Sequence, residues 1–184
     1  MTSDLSVPGA RAEATGEISF VRRAVDHRDA VRLLAAFYQE QVGRYGFAES
    51  VDLDQRDYAA PNGTFIVAYE RGLPVGCGGC RWYDRTTATV EIKKTYLVPA
   101  ARGRGIGRAL LASLEHVAIT WGAQRAILET GVRNTAALAL FTGAGYEPAA
   151  RYVPGRDPSI NRAFQKTLAG SSLLRDRAGN AIAR

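Results

Sequence analysis

Histidine, cysteine and methionine are scarce in this chain, with two histidines, two cysteines and one methionine among 184 residues. A structural zinc site takes about four nitrogen or sulfur ligands, and His27 and His116 lie far in sequence from the single C-x-x-C formed by Cys77 and Cys80. Zinc does not fit, and no metal site is expected. Nor does the C-x-x-C open a helix, where redox-active thiols become acidic. It lies in the strand-like run PVGCGGCRWY, where an odd spacing sends the two side chains to opposite faces. Both cysteines read as small strand residues.

Long apolar runs are missing as well. Nothing approaches the roughly 18 apolar residues of a membrane span, and residues 1–16, MTSDLSVPGARAEATG, hold no apolar stretch that could act as a secretory signal. A soluble, cytoplasmic protein without a membrane partner is expected. At 46% hydrophobic content the chain can bury one core. A single domain over 17–169 follows, between weakly ordered tails at 1–16 and 170–184. Runs of lysine and arginine interleaved with aromatics are absent too. The 24 basic residues outnumber the 18 acidic ones for a net charge of +6, but they are scattered. That pattern suits a solvated basic surface with one anion site rather than a nucleic-acid binder.

What is present is a change of period along the chain. ISFVRRA (18–24) reads as a strand, after which Asp26 caps a helix carrying Val31, Leu34, Phe37, Tyr38 and Val42 at helical spacing. Asp54 and Asp57 open a short second helix that Pro61 ends. TFIVAYE (64–70), VGCGGCRWYD (75–84) and TATVEIKKTYLV (87–98) then alternate with period two, as a meander of three strands. Leu110, Leu111, Leu114, Val117, Ala118 and Trp121 form the stripe of a helix over 105–122, and RAILET (125–130) is the parallel strand that it crosses to. Asn134 caps a further helix, and YEPAARYV and NRAFQKTL close the chain as two strands. The class is α/β.

Between the third meander strand and its helix stands RGRGIGRALL (102–111). The first amides of a helix lack internal partners and carry partial positive charge, which suits an anion. Gly103, Gly105 and Gly107 bare the backbone, and Arg102, Arg104 and Arg108 add charge. The Walker pattern fails because Gly107 is followed by Arg108 and Ala109, and the dinucleotide fingerprint fails because position 108 is not glycine.

VEIKKTYLVPAARGRGIGRALL and LETGVRNTAALALFTGAGYEP resemble the Gcn5-related N-acetyltransferase (GNAT) superfamily over about Phe20–Leu168. Arg102, Gly105 and Gly107 match its acyl-CoA signature, and Asn134, Ala137, Leu140, Phe141, Gly145 and Tyr146 match its later pattern. The resemblance implies a mixed, mostly antiparallel sheet of about seven strands, splayed in the middle and flanked by about four helices. It implies acetyl-CoA as co-substrate, with the pyrophosphate on the amides from Gly103 through Ile106 to Arg108. Leu97 and Val98 would bond the pantetheine arm through main-chain groups, and Asn134 and Phe141 would stand on the far side.

An ammonium with a pKa near 10 must lose a proton before it attacks a thioester. Glu91 and Glu129 stand where the family places a base; Glu91 is the first choice, and each has a plain alternative as a charge partner for Lys93 or Arg125. Relatives commonly carry a tyrosine acid where Phe141 stands, which leaves Tyr96, Tyr146 and Tyr152 as substitutes. Transfer to a small-molecule or peptide amine by direct attack is expected. The alternative is an acyl-CoA-binding sensor or partner-binding module with little or no catalysis. Glu40, Glu49, Asp52, Asp54 and Asp57 would draw a cationic amine, whereas Arg151 and Arg156 around VPGRDPS (153–159) would hold a carboxylate. Both stay open, as does a homodimer.

Overall fold

Period-two alternation becomes three long strands that hydrogen-bond in chain order, β2 (Gly63–Glu70), β3 (Leu73–Asp84) and β4 (Thr89–Leu97). This is a computed structural model, and the structure describes residues 17–48 and 53–168. β1 (Ile18–Arg22) adds antiparallel to β2. Beyond β4 the chain crosses through α2 (Ile106–Thr120) to β5 (Arg125–Gly131), the parallel neighbour of β4. β7 (Asn161–Thr167) and β6 (Glu147–Pro148) complete a seven-stranded sheet in the order β1-β2-β3-β4-β5-β7-β6.

Helices cover both faces. On one, α1 (Arg28–Tyr45) packs Leu33, Leu34 and Tyr38 onto Phe65, Val67, Cys77 and Tyr96. On the other, α2 packs Leu110, Leu111 and Leu114 onto Ile66, Cys80, Val90 and Ile92, and α3 (Thr135–Gly143) adds Phe141. Cys77 and Cys80 therefore face opposite layers, as their spacing requires. Between them Gly79 is a close approach: a Cβ there would stand 2.4 Å from the Tyr58 ring.

Four local readings need correction. There are three α-helices among the described residues, not about four, because the segment opened by Asp54 is a single 3-10 turn over Gln55–Tyr58. Asp54 does accept from the Arg56 amide at 2.9 Å, but Pro61 disfavours helical geometry at the residue before it, leaving no room to continue. α1 is capped by His27 rather than Asp26, through Nδ1 accepting from the Asp29 amide at 3.2 Å. Its buried stripe runs Ala30, Leu33, Leu34 and Tyr38. Val31 and Val42, one step around the helix, are half-exposed at 50% and 49%. The YEPAARYV strand shrinks to Glu147–Pro148, since Pro148 has no amide to give the ladder. The expected tails at 1–16 and 170–184, with Glu49 and Asp52, lie outside the described residues.

The feature that makes a site is where β4 and β5 part. Only Thr89, Val90 and Glu91 pair with Arg125, Ala126 and Ile127. Beyond Glu91 the β5-facing edge of β4 has no strand partner among the described residues, and a bulge at Lys94 (φ 57°) shifts the β3 register there.

Candidate active site

The gap between the splayed strands is a cavity of about 1040 Å³. It is lined by β4, the glycine loop, α3, the C-terminal half of α1 and the segment around Arg156.

Gly103 and Gly105 have φ of 74° and 80°, left-handed values that a side chain resists. Gly105 caps α2 in that conformation with no side chain serving the helix end. The first internal bond of α2 comes from Ala109 to the Gly105 carbonyl at 3.1 Å. Among the described residues, the main-chain amides from Gly103 to Arg108 donate to nothing. Gly107 lies close beneath Leu97 and Leu140, 3.4 and 3.5 Å from where its Cβ would stand.

The three loop arginines differ. Arg102 turns back, donating from Nε and Nη2 to the Leu97 carbonyl at 3.0 and 2.8 Å and pairing with Glu40. Arg104 pairs with Glu70 away from the cavity, at 3.0 Å for Nη1 to Oε2. Arg108 lines the cavity beside Gly143 and has no acidic partner among the described residues. The side chain of Ile106 is core, packed with Ala68, Val75 and Ala101. Val98 spends both main-chain groups internally, its amide on Val75 and its carbonyl on Ala101, each at 2.9 Å. Asn134 Oδ1 accepts from the Ala137 amide at 3.3 Å, while the residue also lines the cavity.

Both glutamates reach the cavity from the diverging strands. Glu91, with its side chain only 3% exposed, is saturated. Oε2 accepts from Arg81 Nε and Nη2 at 3.0 and 2.9 Å, Oε1 accepts from the Tyr152 hydroxyl at 3.0 Å, and Lys93 Nζ stands 3.2 Å from Oε1. Arg81 also pairs with Asp57, so one guanidinium ties the 3-10 turn to Glu91. Glu129, 5% exposed, pairs with Arg156 Nε at 3.2 Å rather than with Arg125. Arg125 is turned to the Thr89 hydroxyl.

Burial, and then the charge on Glu91, pushes the Tyr152 hydroxyl well above its ordinary pKa, so it stays a donor. Burial likewise raises Tyr96, beside Glu40, and Tyr146, whose ring meets Phe141 at 5.8 Å between centroids. Of these tyrosines only Tyr96 lines the cavity. The sequence reading missed Arg81, whose signal was its place directly opposite Glu91 in the β3–β4 register. It also missed the face of α1 made by Phe37, Gln41 and Tyr45 at i, i+4 and i+8, all of which line the cavity. No group of three or more potential metal ligands occurs among the described residues, and none of their helices is long and apolar enough to cross a membrane.

Comparison with known proteins places this geometry. A family model described as acetyltransferase (GNAT) family matches residues 28–146. An "IAA acetyltransferase" of Azospirillum brasilense is 35% identical over 133 residues, covering 71% of this chain and 86% of that protein. Among solved structures, a candidate acyl-CoA N-acyltransferase from Klebsiella pneumoniae subsp. pneumoniae MGH 78578 superposes with a TM-score of 0.70 at 27% identity, over 82% of this chain and 97% of that one. The PaiA N-acetyltransferase of Thermoplasma acidophilum, solved with coenzyme A, shares the fold at a TM-score of 0.63 and 14% identity, over 82% and 99%.

Proposed function

Because the chain belongs to the acetyltransferase (GNAT) family, we propose that it moves the acetyl group of acetyl-CoA to a primary amine of a small molecule by direct attack. The observation that carries this is the run of amides from Gly103 to Arg108 with no acceptor among the described residues, at the head of α2 and lining the splayed cleft. Such a cradle matches a pyrophosphate, and Arg108, without an acid beside it, adds a charge-assisted contact. The acyl-CoA class fits the residues present, and coenzyme A is what the Thermoplasma acidophilum structure was solved with.

When bound, acetyl-CoA supplies the acetyl group as a thioester, whose thiolate with a pKa near 8.5 leaves more readily than an amine. The unpaired edge of β4 beyond Glu91 would line the pantetheine arm. That edge takes the role first given to Val98, whose main-chain groups are already used. The ammonium must be deprotonated in the cleft. Glu129 takes that proton: it lines the cleft from the strand that diverges from β4, whereas Glu91 is committed to Arg81, Lys93 and Tyr152. Glu91 instead holds Arg81, Lys93 and Tyr152 in place on the other wall.

Thiol release from acetyl-CoA, followed against a panel of amines, tests the reading. Glu129→Gln is expected to lower kcat about a hundredfold or more with acetyl-CoA binding retained. Trapping of an acetyl-enzyme would overturn direct attack. The second reading, an acyl-CoA-binding module, is favoured by Phe141, a buried ring at the position where relatives place a hydroxyl. Tight acetyl-CoA binding with no release to any acceptor would favour it.

A further inference from the structure

The wall of the cavity contributed by α1 and the residues before β2 is built to a different chemistry. The described acids among those expected to draw a cationic amine are already paired with arginine, and so is Glu129. Glu40 is held by Arg44 at 2.7 Å and by Arg102, Asp54 by Arg56 at 2.7 Å, Asp57 by Arg81, and Glu129 by Arg156 at 3.2 Å. A second or third ammonium entering here would have to compete with an arginine at each of these carboxylates. Asp157, which also lines the cavity, is exposed and bonded to Ser159, so no buried carboxylate without a partner among the described residues offsets the hydration such a cation loses.

Hydrocarbon fills the remaining wall. Phe37 and Tyr45 project from one face of α1, Phe47 follows the helix, and Leu53 and Tyr58 come from the segment leading to β2. Tyr45 and Phe47 meet as tilted rings with centroids 6.3 Å apart, yet Phe47 remains 52% exposed. That aromatic surface at the cavity mouth has no cover within the described residues, the usual sign of a binding surface when it borders a pocket. The polar atoms of the same helix face are neutral: Gln41 Oε1 and the Tyr45 hydroxyl are buried and have no hydrogen bond among the described residues.

We propose that the acceptor is a monoamine carried on an aromatic or similarly flat apolar body, held between Phe37, Tyr45 and Phe47 with its amine toward Glu129. The proposal rests on the acetyltransferase reading for what happens to the amine, but not for what the pocket binds. One short cation satisfies the cleft, and the ring replaces water against the aromatic wall.

Equilibrium binding of 2-phenylethylamine, ethylamine and spermidine to the full chain by calorimetry tests it, with thiol release measured in parallel. The expected result is 2-phenylethylamine binding about tenfold or more tightly than ethylamine, with spermidine no tighter than ethylamine. Phe47→Ala, a change at a half-exposed position that leaves the core intact, is expected to weaken 2-phenylethylamine about tenfold and to leave acetyl-CoA binding unchanged. Spermidine binding more tightly than 2-phenylethylamine, or Phe47→Ala without effect on the aromatic amine, would overturn the proposal. Selective binding of 2-phenylethylamine with no thiol released to any amine would uphold this pocket and sink the acetyltransferase reading. Turnover of spermidine in preference to the aromatic amine would do the reverse.

Discussion

Both oxygens of Glu91 are held by cations and a phenol, and that arrangement sets what its loss would do. Glu91→Gln leaves Arg81 and Lys93 against a wall without their counter-charge, although Arg81 keeps Asp57 and its side chain is 30% exposed, so part of the penalty is relieved by water. The expected cost is about 1–3 kcal/mol, read as a lowered denaturant midpoint at unchanged slope. A variant as stable as the parent would show the cluster to be solvated. The cysteines make a second expectation at this scale. Burial alone pushes Cys77 up and, with help from Glu91, Cys80 up to about 12. A thiol whose folded pKa lies above its unfolded value, about 8.5, contributes stability that is complete below that value and is lost as pH rises toward the folded one. Stability should therefore decline above about pH 9. A disulfide-exchange reagent at pH 8 should label neither thiol in the native protein and both in denaturant; fast native labelling would contradict the burial.

At the scale of elements, α2 is the piece on which the cleft depends, since it carries the crossover from β4 to β5 and presents its first turn to the glycine loop. Leu114 is fully buried in the layer with Val90 and Ile92, and Leu114→Ala is expected to cost about 2–5 kcal/mol, measured by denaturant unfolding. A loss below 1 kcal/mol would mean that the layer collapses onto the gap. Elements such as α2 were legible in the chain because one signal decided them: the stripe from Leu110 to Ala118 has a single period, and the meander has another. Where two signals competed, the reading failed. Asp54 announced a helix while Pro61 forbade its second turn, and the strand after Tyr146 carried a proline in its own ladder. The site divided in the same way. The glycine loop and the two glutamates were visible as local pattern, but the partners that decide their roles were not. Arg81 meets Glu91 only through strand register, and that register is shifted by bulges between Cys77 and Gly79 and between Trp82 and Asp84. Arg156 reaches Glu129 from a loop far along the chain.

For the molecule as a whole, the sheet is two parts joined by few rungs. β1 to β4 form one continuous antiparallel unit and β5, β7 and β6 the other, with three paired positions and one crossover helix between them. A ligand lying in the splay, with its phosphates on the head of α2 and its arm along β4, touches both parts and binds only their folded arrangement. Acetyl-CoA at a hundred times its Kd should then stabilise the protein by about 2.7 kcal/mol, a rise in Tm of roughly 5–10 °C for a domain of this size. Because the chain carries a net charge of +6 and the proposed ligand is an anion, that rise should shrink with added salt. It should shrink further in Arg108→Ala, which removes the loop arginine without an acidic partner, and much less in Arg104→Ala, whose side chain is turned to Glu70. The contrast between the two variants separates a specific phosphate contact from general basicity, since each removes the same charge from the same loop. Equal losses in both would mean that net charge, not the geometry at the head of α2, holds the ligand.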